Sequence, residues 1–340
     1  MRRKAKLTSR NVRYFPLAVA CMAFLVLSLR AEPPSRVHLF PKFAPGATLR
    51  YQIETRTAEN SKMETPIENP EAASKSRQTV SLILRLDVLN PLPANNDPPG
   101  SVRIRATYEK STASFESDAY EPAGPTIADQ YKNLEGRSLE YTIEPDGEFS
   151  HISGIDDVLG NRSVAENVHS WMNGLSYSAH IPKEGIEVGQ KWSSQLPIEG
   201  VALGGLIWRN QSTYVRNEPC NSTDALPKSA PTAHPANANA PCAVIVTQFK
   251  INRNGDATPD DYARQHLDTS GTWIGSGGSL EFVSLSTGIL IHSTQESTQS
   301  IDVEVVSTRS GSKMHYTGHV ENHSEISLLP ATPPATDSQP

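Results

Sequence analysis

Apolar and polar residues alternate along most of the chain, and this period of two predicts β-strands. Every second residue is apolar in Leu49–Ile53, in Val80–Val88 and in Val102–Tyr108. Weaker alternation continues in Leu206–Val215, Ala243–Ile251, Leu280–Ile291 and Ile301–Val305. Strands with one apolar face build antiparallel sheets whose other face is in water. The pattern therefore predicts a mainly β (α+β) fold built on one long antiparallel sheet.

One stretch has a helical period instead. Its apolar residues recur at a spacing that places them on a single stripe: Val164, Val168, Trp171, Met172 and Leu175. Ser163 and Glu166 have the spacing of a capping box at the start of this helix. Because the stripe includes Trp and Met, we expect one principal amphipathic helix that packs on the sheet.

Polar segments without an apolar period are predicted to be connections. The longest covers residues 57–76, which are rich in Glu, Pro and Ser. Pro145-Asp146-Gly147 is predicted to form a tight hairpin turn. The glycine-rich Gly275–Ser279 lacks the G-x-G-x-x-G spacing of a nucleotide site, so it is interpreted as a kink or bulge in a strand.

The N-terminus has the layout of an export signal. Residues 1–15 are basic without an acid, Pro16–Leu29 carries no charge, and a small residue follows at Ala31. The uncharged stretch is short for a membrane-spanning helix, which needs about 20 residues. Leu29 fits a cleavage site poorly, so an uncleaved anchor through residues 16–29 stays open beside signal removal, and lipidation of Cys21 is a further alternative. We expect an exported protein, whether periplasmic, in the cell envelope or extracellular.

The expected organisation has three parts. Residues 1–31 are a signal peptide or membrane anchor, residues 32–329 a single β-rich exported domain, and residues 330–340 a disordered tail. The full chain has a net charge of −6. Loss of residues 1–31 lowers Lys plus Arg from 31 to 24 against 37 Asp plus Glu, which gives −13. Such an acidic domain is not expected to bind nucleic acid, because that binding depends on basic side chains that neutralise phosphates.

Two of the three cysteines, Cys220 and Cys242, flank a tract rich in Pro, Ala, Ser and Asn. Predicted strands lie on both sides of the tract. In an oxidising compartment the pair is expected to form a disulfide that closes the loop 220–242 and joins two adjacent strands. A metal or redox role is the alternative, but the pair lacks C-x-x-C spacing and a third ligand nearby.

Three histidines, His315, His319 and His323, recur every four residues. On a helix they would form a metal-binding face, but Gly318 and the β-branched residues around it favour a strand. On a strand neighbouring histidines lie about 13 Å apart, too far for one ion to bridge. We therefore expect a solvated strand face, without a metal site or a cofactor.

Two pairs of adjacent carboxylates, Asp156-Asp157 and Asp260-Asp261, lie at junctions of predicted elements. Adjacent residues on a strand point in opposite directions, and Asp commonly caps helices. Capping is therefore favoured over acid–base or calcium chemistry. No motif in the chain identifies catalytic residues.

Five large side chains are a candidate ligand site: Trp171, Met172, Trp192, Trp208 and Trp273. Packing in the core is the alternative interpretation. The two interpretations, ligand binding and core packing, are compatible if a cavity between the sheet and the helix keeps part of these side chains accessible. The expected ligand is then an apolar small molecule or a lipid.

Three stretches resemble a loose group of uncharacterised exported bacterial β-rich proteins: IEPDGEFSHISGIDDVL, IPKEGIEVGQKWSS and GGSLEFVSLSTGILIHST. They span about Leu139–Val306, roughly half of the chain, and their order carries the resemblance. The resemblance implies long, strongly curved antiparallel strands with a helix, similar to the half-barrel of lipoprotein carriers. It implies no catalytic residues, and the Cys220–Cys242 insert departs from the group.

Three functions remain open at this point. We favour a non-enzymatic exported protein that binds an apolar ligand or an envelope partner in the concavity of the sheet. The alternative is an exported hydrolase that uses Asp, His or Ser groups, which would require residues such as His151, His169, Asp156 and Asp157 to meet in a cleft. The third is a structural envelope component without a ligand.

Overall fold

The computed structural model describes residues 36–65, 73–90, 98, 100–119, 126–145, 149–154, 168, 171–172, 175, 181–198, 201–220, 240–255 and 257–330. Within these ranges the chain forms eleven strands. In chain order they are β1 Thr48–Glu64, β2 Ala73–Leu89, β3 Val102–Ser117, β4 Ser138–Ile143, β5 Phe149–Ser153, β6 Lys191–Pro197, β7 Leu206–Pro219, β8 Pro241–Arg253, β9 Leu267–Ser284, β10 Leu290–Ser307 and β11 Lys313–Leu328. The fold is mainly β, as predicted.

Two short helices, α1 and α2, have defined bounds: Ile127–Lys132 and Asp260–Arg264. Helix α1 begins at a capping box, because the Thr126 hydroxyl accepts a hydrogen bond from the Asp129 amide and the Asp129 carboxylate accepts one from the Thr126 amide. Within the described residues no helix is both long and apolar enough to cross a membrane.

All eleven strands belong to one antiparallel sheet in the order β5-β4-β3-β2-β1-β11-β10-β9-β8-β7-β6. Strands that are neighbours in the sheet are consecutive in the chain everywhere except at the centre, where the first strand pairs with the last. This central pairing runs from Tyr51 opposite Leu328 to Glu64 opposite His315. The two short strands β5 and β6 form the edges of the sheet.

Several strands extend beyond the segments in which apolar residues alternate. The predicted loop at residues 57–76 is wrong, because β1 continues to Glu64 and β2 resumes at Ala73. Register runs without a break from Thr57 opposite Gln78 to Lys62 opposite Ala73. Backbone pairing needs no apolar side chains, so these polar segments are strands without a hydrophobic period.

One face of the sheet carries the main core, and we call it the inner face. Its buried residues come from strands β1 to β4 and β7 to β11, among them Tyr51, Ile53, Leu84, Ile245 and Ile326. The Tyr51 hydroxyl donates to the carbonyl of Leu290 on β10, at 2.8 Å, and so reaches across β11. Burial of this apolar surface is the main stabilising contribution to the fold.

The predicted amphipathic helix packs on this core at its described positions. Val168, Trp171, Met172 and Leu175 are helical, and the first three are fully buried. The Trp171 indole Nε1 donates to the Tyr108 hydroxyl at 3.1 Å, and the two rings meet edge to face. The hydrogen bond satisfies the indole N–H, which would otherwise be buried without a partner.

Two smaller clusters flank the main core. The second cluster lies toward the other end of the inner face and contains Leu203, Leu206, Ile251, Val303 and Val305. The third lies on the opposite, outer face, where Val244 and Phe282 pack around a disulfide. That disulfide joins Cys220 to Cys242, the pair predicted from the sequence.

Several predicted features lie outside the described residues. They are the export signal at residues 1–31, the capping box at Ser163 and Glu166, Asp146 and Gly147 of the predicted turn, and the tail at residues 331–340. The strands on either side of that turn, β4 and β5, do pair as a hairpin.

Candidate functional site

A cavity of about 630 Å³ lies on the sheet and is lined by residues of five neighbouring strands, β2, β1, β11, β10 and β9. We define the polar groove by the inner-face residues of this lining, which pair directly with one another across the strands: Gln78, Thr57, Asn322, Ser297 and Gly277. Directly paired residues share a face, so all five lie on the face that carries the main core. The volume is typical of small-molecule sites.

Hydrogen bonds between strands order the side chains of this region. Thr57 Oγ1 donates to Asn322 Oδ1 at 2.7 Å, across the central β1–β11 pair. Further along the same face, the hydroxyls of Ser212 and Thr247 lie 2.9 Å apart. Ser297 is buried, at 7% exposure. Thr57 and Asn322 are therefore held relative to each other by a direct side-chain hydrogen bond across the central strand pair.

Around the groove, the inner face carries no charged side chains. Two successive rows of paired residues cross the sheet from β3 to β6, and neither contains Asp, Glu, Lys, Arg or His. The row nearer the core is Ala113, Val80, Thr55, Ser324, Gln295, Ser279, Thr247, Ser212 and Trp192. The row of the groove is Phe115, Gln78, Thr57, Asn322, Ser297, Gly277, Phe249, Asn210 and Ser194. Charges at the same level lie on the outer face, as at Arg56, Arg77 and Glu296.

An aromatic side chain covers the β9 end of the groove. The Phe249 ring lies over the α-carbon of Gly277, where any β-carbon would meet Cζ of the ring at 2.5 Å. Trp208 packs edge to face on Phe249, with ring centroids 5.2 Å apart. Gly277 is thus required by close approach. The predicted kink or bulge at Gly275–Ser279 is wrong as a bulge, because register to both neighbouring strands is continuous there.

The five predicted ligand-binding residues divide between two clusters. Trp171 and Met172 are buried in the main core, and Trp192 packs against it. Trp208 and Trp273 pack on the second cluster, and Trp273 Nε1 donates to Gln299 Oε1 at 2.9 Å. Within the described part of the chain none of the five lines the polar groove. Their role in ligand binding stays a prediction.

The three histidines lie on strand β11, and each faces a different carboxylate on the outer face. His315 Nε2 lies 2.8 Å from Asp302 Oδ1, and this contact raises the pKa of His315. His319 lies 3.4 Å from Glu321, and His323 lies 3.4 Å from Glu296. Among the described residues no three His, Cys, Asp or Glu side chains are placed to hold a metal ion.

The residues named for the hydrolase alternative are only partly described. His151 lies on the edge strand β5, is exposed, and has its Nδ1 3.4 Å from the hydroxyl of the adjacent Ser150. Asp156, Asp157 and His169 lie outside the described residues. The other acidic pair, Asp260-Asp261, forms the first turn of α2. The N-cap of this helix is Pro259 and neither carboxylate makes a capping hydrogen bond, so the predicted capping role is wrong here. Acids in a first turn still face the positive end of the helix dipole.

Two titratable groups lie near the boundary between the core and the groove. Glu281 is on the inner face of β9, and burial raises the pKa of its carboxyl to about 7. Ser279 Oγ donates to Glu281 Oε1 at 3.2 Å. His292 is buried on the outer face of β10, where burial lowers its pKa to about 4. Its Nδ1 lies 2.9 Å from the Ser327 hydroxyl.

The hydrophobic pattern missed the residues of the groove, because they sit in strands that are polar on both faces. A different signal was present. In β2, Lys75 and Arg77 alternate with uncharged Ser74, Ser76 and Gln78, and the charged set lies outward. Alternation between charged and uncharged polar residues therefore indicates a strand, just as alternation between apolar and polar residues does. It also distinguishes the two faces of the sheet, because the charged residues lie on the outer face.

Comparisons with known proteins give no family. No family model matches the chain, and no curated protein matches it. Among solved structures, it aligns with the crystal structure of the outer membrane protein OprG from Pseudomonas aeruginosa at 6% identity. That alignment covers 86% of this chain and 99% of the other, with a TM-score of 0.17, which is too low to carry an argument.

Proposed function

We propose that the protein is a non-enzymatic binding protein that holds a ligand in the polar groove. The observation that carries the proposal is the position of the cavity. Its lining takes one inner-face residue from each of five adjacent strands, beyond the covered core, and four of these residues present hydroxyl or amide groups.

Binding rather than catalysis follows from the chemistry of the inner-face lining. Gln78, Thr57, Asn322 and Ser297 donate and accept hydrogen bonds without changing their protonation. General acid–base catalysis requires a group that gains or loses a proton near the working pH. The inner-face residues of the groove contain no such group, so we assign them to recognition.

We further propose that the protein works outside the cytoplasm, in the cell envelope or beyond it. Two observations support this location. The N-terminus has a basic segment followed by an uncharged one, and Cys220 and Cys242 form a disulfide, which persists in oxidising compartments. Fractionation of the source cells with N-terminal sequencing tests it, and a reduced, full-length protein in the cytoplasm would contradict it.

The binding proposal is tested with a matched pair of substitutions on β1. Thr57→Trp fills the groove, whereas Gln52→Trp adds the same ring on the outer face of the same strand, away from the cavity lining. Native mass spectrometry of the protein purified from its source cells reads out bound small molecules. We expect a bound mass in the wild type and in Gln52→Trp that is lost in Thr57→Trp. No bound mass, or equal occupancy in both variants, would overturn the proposal.

A further inference from the structure

We infer that the polar groove binds an uncharged carbohydrate chain, an inference that rests on the proposed function and names its ligand class. The described inner face offers three features that together point to this class. They are the absence of charge in two successive rows, the density of hydroxyl and amide groups, and an aromatic side chain at each end of the five-residue polar groove.

The absence of charge selects against ionic ligands. An anionic or cationic ligand that enters a groove loses hydration, which is costly unless an opposite charge replaces it. The inner-face row from Gln78 through Thr57, Asn322 and Ser297 has no charged side chain. Five ionisable residues line the cavity from outer-face positions, and they include both signs: Arg56, Arg77, Glu296, Glu321 and His323. Their side chains project from the opposite face to the groove row. Phosphorylated, sulphated and uronic-acid ligands are therefore disfavoured.

The density of hydrogen-bonding groups selects against a purely apolar ligand. An acyl chain placed on this surface would remove amides and hydroxyls from water and offer nothing in return, at a cost for each group. The amides of Gln78 and Asn322 each provide donors and an acceptor side by side. Adjacent sugar hydroxyls present the complementary pattern, since each donates one hydrogen bond and accepts others.

Aromatic rings bound the polar stretch of the row. Phe249 lies over Gly277 on one side, and Phe115 is paired with Gln78 on the other. The C–H faces of a neutral sugar ring are apolar and pack on such rings, while its rim of hydroxyls binds amides. From β3 to β8 the row crosses seven strands, about 29 Å along the sheet at roughly 4.8 Å per step. This length suits an oligomer rather than a single sugar.

Calorimetry on the mature protein tests the inference. The probes are uncharged hexamers of glucose, mannose and N-acetylglucosamine in several linkages, with oligogalacturonate as the charged comparator. We expect at least one uncharged hexamer to bind, with an affinity that is unchanged between about 0.05 and 0.5 M NaCl, because no ion pair is involved. Oligogalacturonate binding that is tighter and falls with salt would overturn the inference.

Matched variants locate the binding. Asn322→Leu removes an amide from the groove, whereas Glu325→Leu changes an outer-face residue of the same strand that does not line the cavity. We expect Asn322→Leu to weaken hexamer binding at least about tenfold and Glu325→Leu to leave it unchanged. Gln78→Leu and Arg85→Leu repeat the test on β2, where Arg85 is likewise on the outer face and outside the cavity lining, so that the result does not depend on one variant that folds poorly. Equal effects in both members of each pair would overturn the inference.

Native mass spectrometry of the protein from its source cells separates failure of the inference from failure of the proposed function. If no uncharged hexamer binds but the wild type retains a bound mass that Thr57→Trp loses, the carbohydrate inference is wrong and the groove remains a binding site. If no hexamer binds and no bound mass depends on Thr57, both are wrong.

Discussion

The main core and the polar groove share the inner face and the register of strands β1, β2 and β11, yet their chemistry is opposite. At the core end Tyr51, Leu84 and Ile326 are buried beneath helical residues that include Trp171. A few residues further along the same strands, Thr57, Gln78 and Asn322 line an open cavity. The comparison shows that pairing of the backbone extends a sheet well beyond the residues that stabilise it.

This division separates stability from recognition. Apolar burial contributes roughly 25 cal/mol for each Å² removed from water, and it is concentrated at the core end. The groove end contributes cross-strand hydrogen bonds, whose net worth is only about 1 kcal/mol each. We therefore expect substitutions at the core end to lower the free energy of unfolding, and substitutions in the groove to alter binding with little effect on stability. Five predictions test that division, from the largest effect to the smallest.

Trp171→Ala should have the largest effect, since it removes a fully buried indole and leaves the Tyr108 hydroxyl without its donor. We expect the free energy of unfolding to fall by about 3–5 kcal/mol. Thr57→Ala, in the groove, should cost less than about 1 kcal/mol. Urea denaturation followed by intrinsic fluorescence measures both. Comparable losses in the two variants would break the distinction between the two ends.

Loss of the disulfide should come second. Replacing Cys220 and Cys242 together by Ser removes a link between residues 22 positions apart, which contributes roughly 3 kcal/mol on a chain-entropy argument. Thermal unfolding with and without reductant measures the effect. The wild type should lose stability on reduction, whereas the double variant should not respond. A wild type whose melting temperature ignores reductant would contradict this.

Acid should act through His292. Burial holds its folded-state pKa near 4, below the ordinary value of 6.5, so protonation favours the unfolded chain. Stability should fall as pH drops below 6.5, by about 2 kcal/mol at pH 5. His292→Leu should remove that slope. His315→Gln is the control, because His315 is partly exposed and its pKa is raised, so its small contribution is lost as pH rises.

Gly277 and Gly278 should respond differently to alanine although they are adjacent. The methyl group of Gly277→Ala would overlap the Phe249 ring and the Glu296 carbonyl, which should cost about 1–3 kcal/mol. In Gly278→Ala the nearest atom is the Thr247 carbonyl oxygen at 3.2 Å, so the change should be close to neutral. Chemical denaturation of the two variants measures the difference, and equal losses would argue against close packing at the β9 end of the groove.

Glu281 should act in the opposite pH direction to His292. Its folded-state pKa near 7 exceeds the ordinary 4.5, so ionisation favours the unfolded chain and stability should fall as pH rises from about 4.5 to above 7. The residue keeps some exposure, so we expect Glu281→Gln to gain only about 1–2 kcal/mol at pH 8. Little change should appear at pH 4. A variant that is destabilised at both values would show that the carboxylate is bound favourably.

The sequence predicted the parts of the fold that carry apolar residues. Val80–Val88 and Val102–Tyr108 are strands because their alternating residues form the core, and the stripe at Val168, Trp171 and Met172 is buried as a helix should be. The disulfide also followed from cysteine number and the predicted strands.

The groove did not follow from that pattern, because its strand segments bury no apolar row. Residues 57–64 and 73–79 are held by backbone hydrogen bonds, which are almost independent of side-chain identity. For the same reason the sequence did not predict that β1 pairs with β11. An alternating pattern indicates that a segment is a strand, but it does not identify the strand with which it pairs. The alternation of charged and uncharged polar residues was the available signal.

The central position of β11 has a consequence for how the molecule assembles. Lys313–Leu328 is the last strand to be synthesised, and it lies between β1 and β10. Until it arrives, the two meanders that begin at β1 and end at β10 cannot be joined, and both keep a long unpaired border. Contacts between chain ends so far apart in sequence form slowly. A nascent chain therefore cannot complete this sheet until Lys313–Leu328 has been made, and until then its two halves lack the strand that joins them.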